Sequence, residues 1–219
     1  VQALGLLLAA LAALPGAVWT APAAPAWMVA AALAGAVLAV LPLPWGLRAL
    51  AVPLMLPMVL APAPRPAEGA VQVVVADVGQ GSAVLVRTRR HALLHDAGPQ
   101  YGPGSDAGGR VLLPLLRALG VTRLDLLMLS HRDTDHVGGA AALLAGLDVR
   151  ALSSSLEAGH PLLAGPRPHR ACAAGQAWHW DGVDFRVLHP PAGAASAAAA
   201  APNSLSCVLS VTDADRKST

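Results

Sequence analysis

The run SHRDTDHVGG, Ser130 to Gly139, places four potential metal ligands, His131, Asp133, Asp135 and His136, within six consecutive positions. His131, Asp133 and Asp135 alternate, so their side chains converge from one short loop, and His136 adds a second imidazole at the start of the helix that follows. Gly138 and Gly139 keep the backbone small there and permit close approach of neighbouring chain. Four ligands so close in sequence suit two divalent ions better than one, because a single ion takes ligands from widely separated directions. A pair of adjacent ions activates water and stabilises the attacking and leaving oxygens of a phosphodiester, which is hydrolysis without a protein nucleophile. The competing reading is a polar loop that caps a helix, and it accounts for neither the spacing nor the glycine pair.

The loop follows LDLLMLS, a continuous apolar run of strand length that we expect to be covered on both faces. VQVVVADVGQG, SAVLVRT and HALLHDAG read as three strands, the last two joined by the polar RTRR, with Asp77 and Asp96 at strand ends. GGRVLLPLLRALG has helical apolar spacing, with Gly120 as its C-cap. GGAAALLAGL reads as a short helix, and VDFRVLHP and LSCVLSVT as strands, so helices alternate with strands on a mixed sheet. Arg87, Arg89 and Arg90 form the densest basic cluster, open to two readings: a solvated hairpin tip or a phosphate contact. His91, His95, His160, His169 and His179 read as surface or packing residues and His189 as structural. The Ala-rich run 192–202 reads as a surface loop or frayed helix.

Composition divides the chain of 219 residues, which is 55% hydrophobic with a mean hydropathy of +0.54. From Val1 to Pro64 the only charged residue is Arg48, whereas the later residues hold acids and bases in near balance. That balance gives no general basic footprint for nucleic acid. Val1–Trp19 and Trp27–Leu47 are uncharged enough, and near enough to 20 residues, to predict two transmembrane helices with tryptophans at the interfaces and a kink at Pro15. ALAVPLMLPMVLAPAP, broken by prolines, crosses, re-enters or lies at the interface. Residues 1–64 are therefore expected to be membrane segments, 65–69 a proline-stiffened linker and 70–219 a separate domain. No secretory signal is read at the N-terminus, and both ends read as cuts in a longer protein. Two cysteines, Cys172 and Cys207, give no disulfide framework and are expected as free thiols.

The His-x-Asp-x-Asp-His-x-Gly-Gly run resembles the metal motif of the metallo-β-lactamase superfamily, with Asp133 where the commoner form has His. With ADVGQGSAVLVRT, LLHDAGP, GGRVLLPLLRALGVTRLDLLMLSHRDTDHVGG and NSLSCVLSV, the chain is similar to the C-terminal domain of ComEC-type DNA-internalisation competence proteins, preceded by the end of their membrane region. The resemblance implies an α/β, αββα sandwich, incomplete at its C-terminus, on a multi-pass protein of the bacterial inner membrane with the domain on the extracytoplasmic side. It implies a nuclease acting on one strand of DNA, with single-stranded DNA, the lipid bilayer and other parts of an uptake machinery as partners. His131 and Asp133 would hold the first ion, and Asp135 and His136 the second. Asp135 and His136 would be the catalytic pair, Asp77 and Asp96 would orient ligands at the rim, and Asn203 would contact substrate or metal. The oxygen-rich first site shifts preference from Zn²⁺ towards Mn²⁺ or Mg²⁺. Ser82 stands where the family commonly has an acid, and the family's later Thr-Gly-Asp and His-His-Gly-Ser segments are expected beyond Thr219, so the fragment alone is expected to be nearly inactive. A small-molecule ester, thioester or lactam hydrolase and a non-catalytic DNA-guiding domain are the alternatives.

Overall fold

The computed structural model describes residues 2–14, 22–60, 63–193 and 202–215. Pro15, Trp19 and residues 194–201 of the Ala-rich run lie outside the described residues. The chain divides into two compact units, Val1–Ala63 with Arg117–Gly120, and Pro64–Leu116 with Val121–Thr219.

The first unit is helical, with α1 Gln2–Ala12, α2 Ala26–Val40, α3 Trp45–Arg48 and α4 Ala51–Leu60. The two expected spans are not formed as such. Helix α1 has 11 residues and α2 has 15, and α2 reaches only about 22 Å at 1.5 Å per residue against a hydrocarbon core of about 30 Å. Among the described residues no helix is long and apolar enough to cross a membrane. Helix α2 stops where Leu41 turns extended, because Pro42 crowds the helical geometry of the residue before it. The proline-broken third piece forms α4, with Pro57 inside it. Helices α2 and α4 meet over small residues: Ala32 and Ala51 are buried, and a Cβ on Gly35 would lie 2.9 Å from Met55 Cγ. Their other faces leave Trp27, Leu33, Val37, Val52 and Val59 exposed.

The second unit is built on strands β1 Gln72–Val75, β2 Val84–Arg87, β3 Ala92–His95, β4 Gln100–Gly102, β5 Ser105–Asp106, β6 Arg123–Leu124, β7 Leu126–Leu129, β8 Asp148–Val149, β9 Leu152–Ser154, β10 His169–Ala171, β11 Ala177–Trp180, β12 Val183–His189 and β13 Val208–Thr212. Six of them form one sheet in the order β1-β2-β3-β7-β9-β10, and β11-β12-β13 form a second. Strands β1 to β3 run antiparallel by hairpins, whereas β3, β7, β9 and β10 pair in parallel. Parallel pairing requires crossovers. The β3–β7 crossover holds the β4–β5 ribbon, a π-helical turn Gly108–Leu112 and α5 Leu113–Ala118; the β7–β9 crossover holds α6 Thr134–Val137 and α7 Ala140–Gly146.

The two sheets pack face to face through Val86 and Leu93 on one side and Val183, Phe185 and Val211 on the other. Met128 of β7 joins Val187 in the adjoining cluster. Leu127 and Leu129 alternate with Met128 and so face away from the second sheet, yet they are fully buried. The crossovers therefore cover the outer face, and LDLLMLS is covered on both sides as its composition predicts. Two sheets and an outer helical layer make the α/β sandwich.

Cys172 and Cys207, expected as free thiols, instead form a disulfide. Their backbones explain the pairing: the Cys172 N–H bonds the Ser154 carbonyl and the Cys207 N–H bonds the Ser130 carbonyl, each at 2.9 Å. Ser154 ends β9 and Ser130 follows β7, which are neighbours, so sheet order brings together two thiols 35 positions apart.

Candidate metal centre

Strands β3 and β7 end side by side. His95 lies opposite Met128, and the Asp96 N–H continues the ladder to the Met128 carbonyl at 2.8 Å. That alignment brings Asp96 to Ser130 across 34 positions. Asp96 adopts φ 62°, the left-handed region that aspartate and asparagine tolerate best after glycine, and this turns its carboxylate under the loop. Oδ1 accepts from the Ser130 N–H at 2.7 Å and Oδ2 from the Ser130 hydroxyl at 2.9 Å. His136 Nδ1 lies 2.7 Å from the same Oδ2, and His95 Nδ1 lies 3.4 Å from it.

Asp96 is 1% exposed. Burial works against its charge, but the bonds from His95, His136 and the Ser130 N–H outweigh it and hold the carboxyl below its ordinary range. Burial likewise opposes charge on His95, and there Asp96 and the Cys207 carbonyl prevail, so its pKa is raised.

The partners assign the ring proton of His136. With the Ser130 hydroxyl given to Asp96, His136 donates its Nδ1–H to Asp96, while His131 Nδ1 lies 3.0 Å from Ser130 Oγ and 3.2 Å from Ser206 Oγ. Both Nδ1 atoms are thus engaged on the protein side, and the Nε2 atoms face the loop carboxylates. His131 Nε2 lies 3.4 Å from Asp133 Oδ2, and His136 Nε2 lies 3.5 Å from Asp135 Oδ2. Each pair sets an imidazole nitrogen beside a carboxylate oxygen, the two donor types that a divalent ion takes. An imidazole nitrogen and a carboxylate oxygen bound tetrahedrally to one zinc lie about 3.4 Å apart. The donors therefore fit divalent ions in type and in spacing. They fit in pairs only: among the described residues no three His, Cys, Asp or Glu side chains gather as one metal-holding group.

The loop is fixed by close backbone packing. A Cβ on Gly139 would collide with the Ala97 carbonyl and the Gly108 N–H, and one on Gly138 with the Gln100 N–H. Gly81, at φ +124°, abuts the Asp135 carbonyl, which also accepts from the Ser82 N–H at 3.3 Å. The GQG turn thus braces the ligand loop from one side and the Gly108 turn from the other.

The structure brings together Asp96, His131, Asp133, Asp135 and His136. Asp77 is exposed, and its carboxylate accepts from the Gly79 N–H at 3.3 Å. Asn203 is also exposed, and its carbonyl accepts from the Ser206 N–H. Ser130, Ser206 and His95 escape the sequence reading. His95 is next to Asp96 in sequence, and Ser130 is the last small residue before His131; these adjacencies are the only signals available. The remaining histidines have neutral or acidic neighbours, such as Ser154 for His169 and Asp184 for His179. The basic cluster is not simply a solvated tip, since Arg87 is buried, although Arg89 and Arg90 are exposed.

A mixed-sheet sandwich whose His- and Asp-rich loop leaves the carboxyl end of a central parallel strand places that loop where α/β folds bind their ligands. The chain belongs to the metallo-beta-lactamase superfamily, whose model matches residues 76–205. It is 39% identical over 79% of its length to Competence protein ComA of Neisseria gonorrhoeae, covering 24% of that protein. It is 36% identical over 65% of its length to Recombination protein 2 of Haemophilus influenzae, covering 17% of that protein. The chain thus spans a quarter or less of these relatives. Among solved structures, MEM-A1, a subclass B3 metallo-beta-lactamase from a soil metagenome library, shares 20% identity over 72% of this chain and 61% of its own, with a TM-score of 0.46. The superfamily fold is a hydrolase fold that binds divalent metals, usually zinc.

Proposed function

We propose that this domain is a metal-dependent nuclease that cuts one strand of DNA during uptake for transformation. The observation that carries the reading is the pair of imidazoles whose Nε2 atoms each lie 3.4–3.5 Å from a carboxylate oxygen, anchored at Nδ1 through Ser130 and Asp96. His131 with Asp133, and Asp135 with His136, would each hold one ion. Bound ions would activate water and stabilise the phosphodiester's charge. The chain's own residues do the positioning. Asp96 fixes the tautomer and orientation of His136, Ser130 and Ser206 fix His131, and the glycine contacts hold the loop in register. Asp133 enriches one site in oxygen, which favours Mn²⁺ over Zn²⁺, with Mg²⁺ as the next choice. The similarity to competence and recombination proteins supports DNA as the substrate. The exposed apolar faces of α2 and α4 support association of residues 1–64 with a bilayer.

The test is cleavage of a labelled single strand in Mn²⁺ by the protein carried to the length of those relatives. Asp135→Ala and His136→Ala are expected to reduce cutting on the order of a hundredfold or more, since each removes a ligand. Cleavage of a lactam or thioester without action on DNA would favour the small-molecule hydrolase. Metal-independent DNA binding without cutting would favour a guiding domain.

A further inference from the structure

A second cluster of cations lies at the other end of the same strands. Arg65, Arg87, Arg90 and Arg123 line a cavity of about 290 Å³, together with His91 and Asp125. Ala92, the first residue of β3, also lines it, whereas the ligand loop begins past the last, roughly 13 Å away at strand rise. Four arginines thus line the cavity against one acidic residue.

Two of these charges are compensated. Arg90 Nε is 2.7 Å from Asp181 and Arg123 Nε is 3.6 Å from Asp125. Arg65 and Arg87 differ. Arg87 is 4% exposed, and it donates only to neutral oxygens, Gln72 Oε1 and the Pro64 carbonyl, each at 3.1 Å. Arg65 donates to the Arg89 carbonyl at 3.4 Å. Among the described residues neither guanidinium meets a carboxylate. Burial first, and then the charge of Arg65, push the Arg87 guanidinium below its ordinary value, so two like charges crowd the same space. A buried unpaired charge is strongly unfavourable, and a guanidinium has five donors, of which Arg87 uses two here.

We infer that this cavity is a phosphate-binding site in which Arg65 and Arg87 hold the oxygens of one phosphate group, supplied by a nucleic-acid backbone or by free phosphate. Phosphate suits the site better than a carboxylate. It offers several oxygens to two planar forks and carries the charge that two uncompensated cations demand. The ligand loop takes no part, so binding here stands or falls independently of the proposed hydrolysis.

The experiment uses the 219-residue chain purified in a non-ionic detergent with EDTA throughout, which silences any phosphate contact made through a metal. Inorganic phosphate is titrated by calorimetry, and a short fluorescent single strand by anisotropy. Arg65→Gln is the informative variant because Arg65 is exposed and its loss spares the core. It is expected to weaken phosphate binding about tenfold, the loss of a charge-assisted pair of bonds. Arg186→Gln, an exposed arginine on β12 outside the cavity and the ligand loop, should change nothing. Displacement of phosphate by the oligonucleotide, with affinity falling as salt rises, assigns the site to a DNA backbone; phosphate binding without displacement assigns it to free phosphate. Absence of phosphate binding, or equal losses in Arg65→Gln and Arg186→Gln, overturns the assignment.

Discussion

Asp96→Asn separates charge from geometry at the candidate centre, because asparagine tolerates the same left-handed φ of 62°. Asn can still accept from the Ser130 N–H, but its amide would have to donate where Asp96 Oδ2 now accepts from Ser130 Oγ and His136 Nδ1. His136 must then accept at Nδ1, and its proton moves to Nε2, the nitrogen that faces Asp135. We expect Mn²⁺ affinity to fall about 10–100-fold, the usual effect of losing an outer partner of a metal-binding histidine, with far-UV circular dichroism unchanged. Affinity equal to that of the parent would exclude the anchoring role. The candidate ligand residues are legible from spacing, since alternation and adjacency are properties of the chain. The hydroxyl of Ser130, shared by Asp96, His131 and His136, is not legible, because it depends on β3 and β7 ending at the same level.

At the scale of elements, the glycine pair shows how sheet and helix fix the loop. Gly139 has an ordinary φ of −87°, so alanine there meets no backbone penalty, only the collision of its Cβ with Ala97 and Gly108. Backbone on both sides leaves nothing flexible to yield. Gly139→Ala is expected to destabilise by about 3 kcal/mol, seen as a thermal midpoint lower by on the order of 5–10 °C. Gly102→Ala, where an added Cβ meets nothing within 4 Å, should stay within about 0.5 kcal/mol of the parent. Equal behaviour of the two variants would refute close packing at the loop. The sequence shows that glycines gather here but not what they approach, since Ala97 and Gly108 lie on a different crossover. Helix length fails differently. Apolar composition continues past Val40, but Pro42 and Pro44 end α2 at 15 residues, so hydropathy alone overstates the helix.

Across the whole second unit, Asp181 joins the two sheets, and its chemistry sets how the molecule responds to acid. It sits in the turn between β11 and β12, with φ 52°. Its buried carboxylate reaches the β2–β3 hairpin, accepting from Thr88 Oγ1, the Arg90 N–H and Arg90 Nε, each at 2.7 Å, with His91 Nδ1 at 2.9 Å. His91 in turn stacks on Trp180, with ring centroids 4.8 Å apart. None of these contacts is legible in sequence, where Asp181 lies some 90 positions from its partners. Burial opposes the charge, but the bonds from Thr88, His91 and Arg90 outweigh it and hold the carboxyl far below its ordinary value. A carboxyl lowered in the folded state binds protons less readily than in the unfolded chain. Its contribution is therefore fully present above about pH 4, the unfolded value, and is lost as the pH falls from there towards the folded value. The parent should lose stability as the pH falls from about 4 to 2 more steeply than Asp181→Asn, which has no charge to protonate and keeps the permitted backbone. At pH 7 the variant should be less stable on the order of 2 kcal/mol, the scale of a charged hydrogen bond. Thermal midpoints measured at several pH values for both proteins decide the matter: parallel profiles would mean that acid sensitivity resides in other carboxylates, and converging profiles that Asp181 is the acid-labile tie between the sheets.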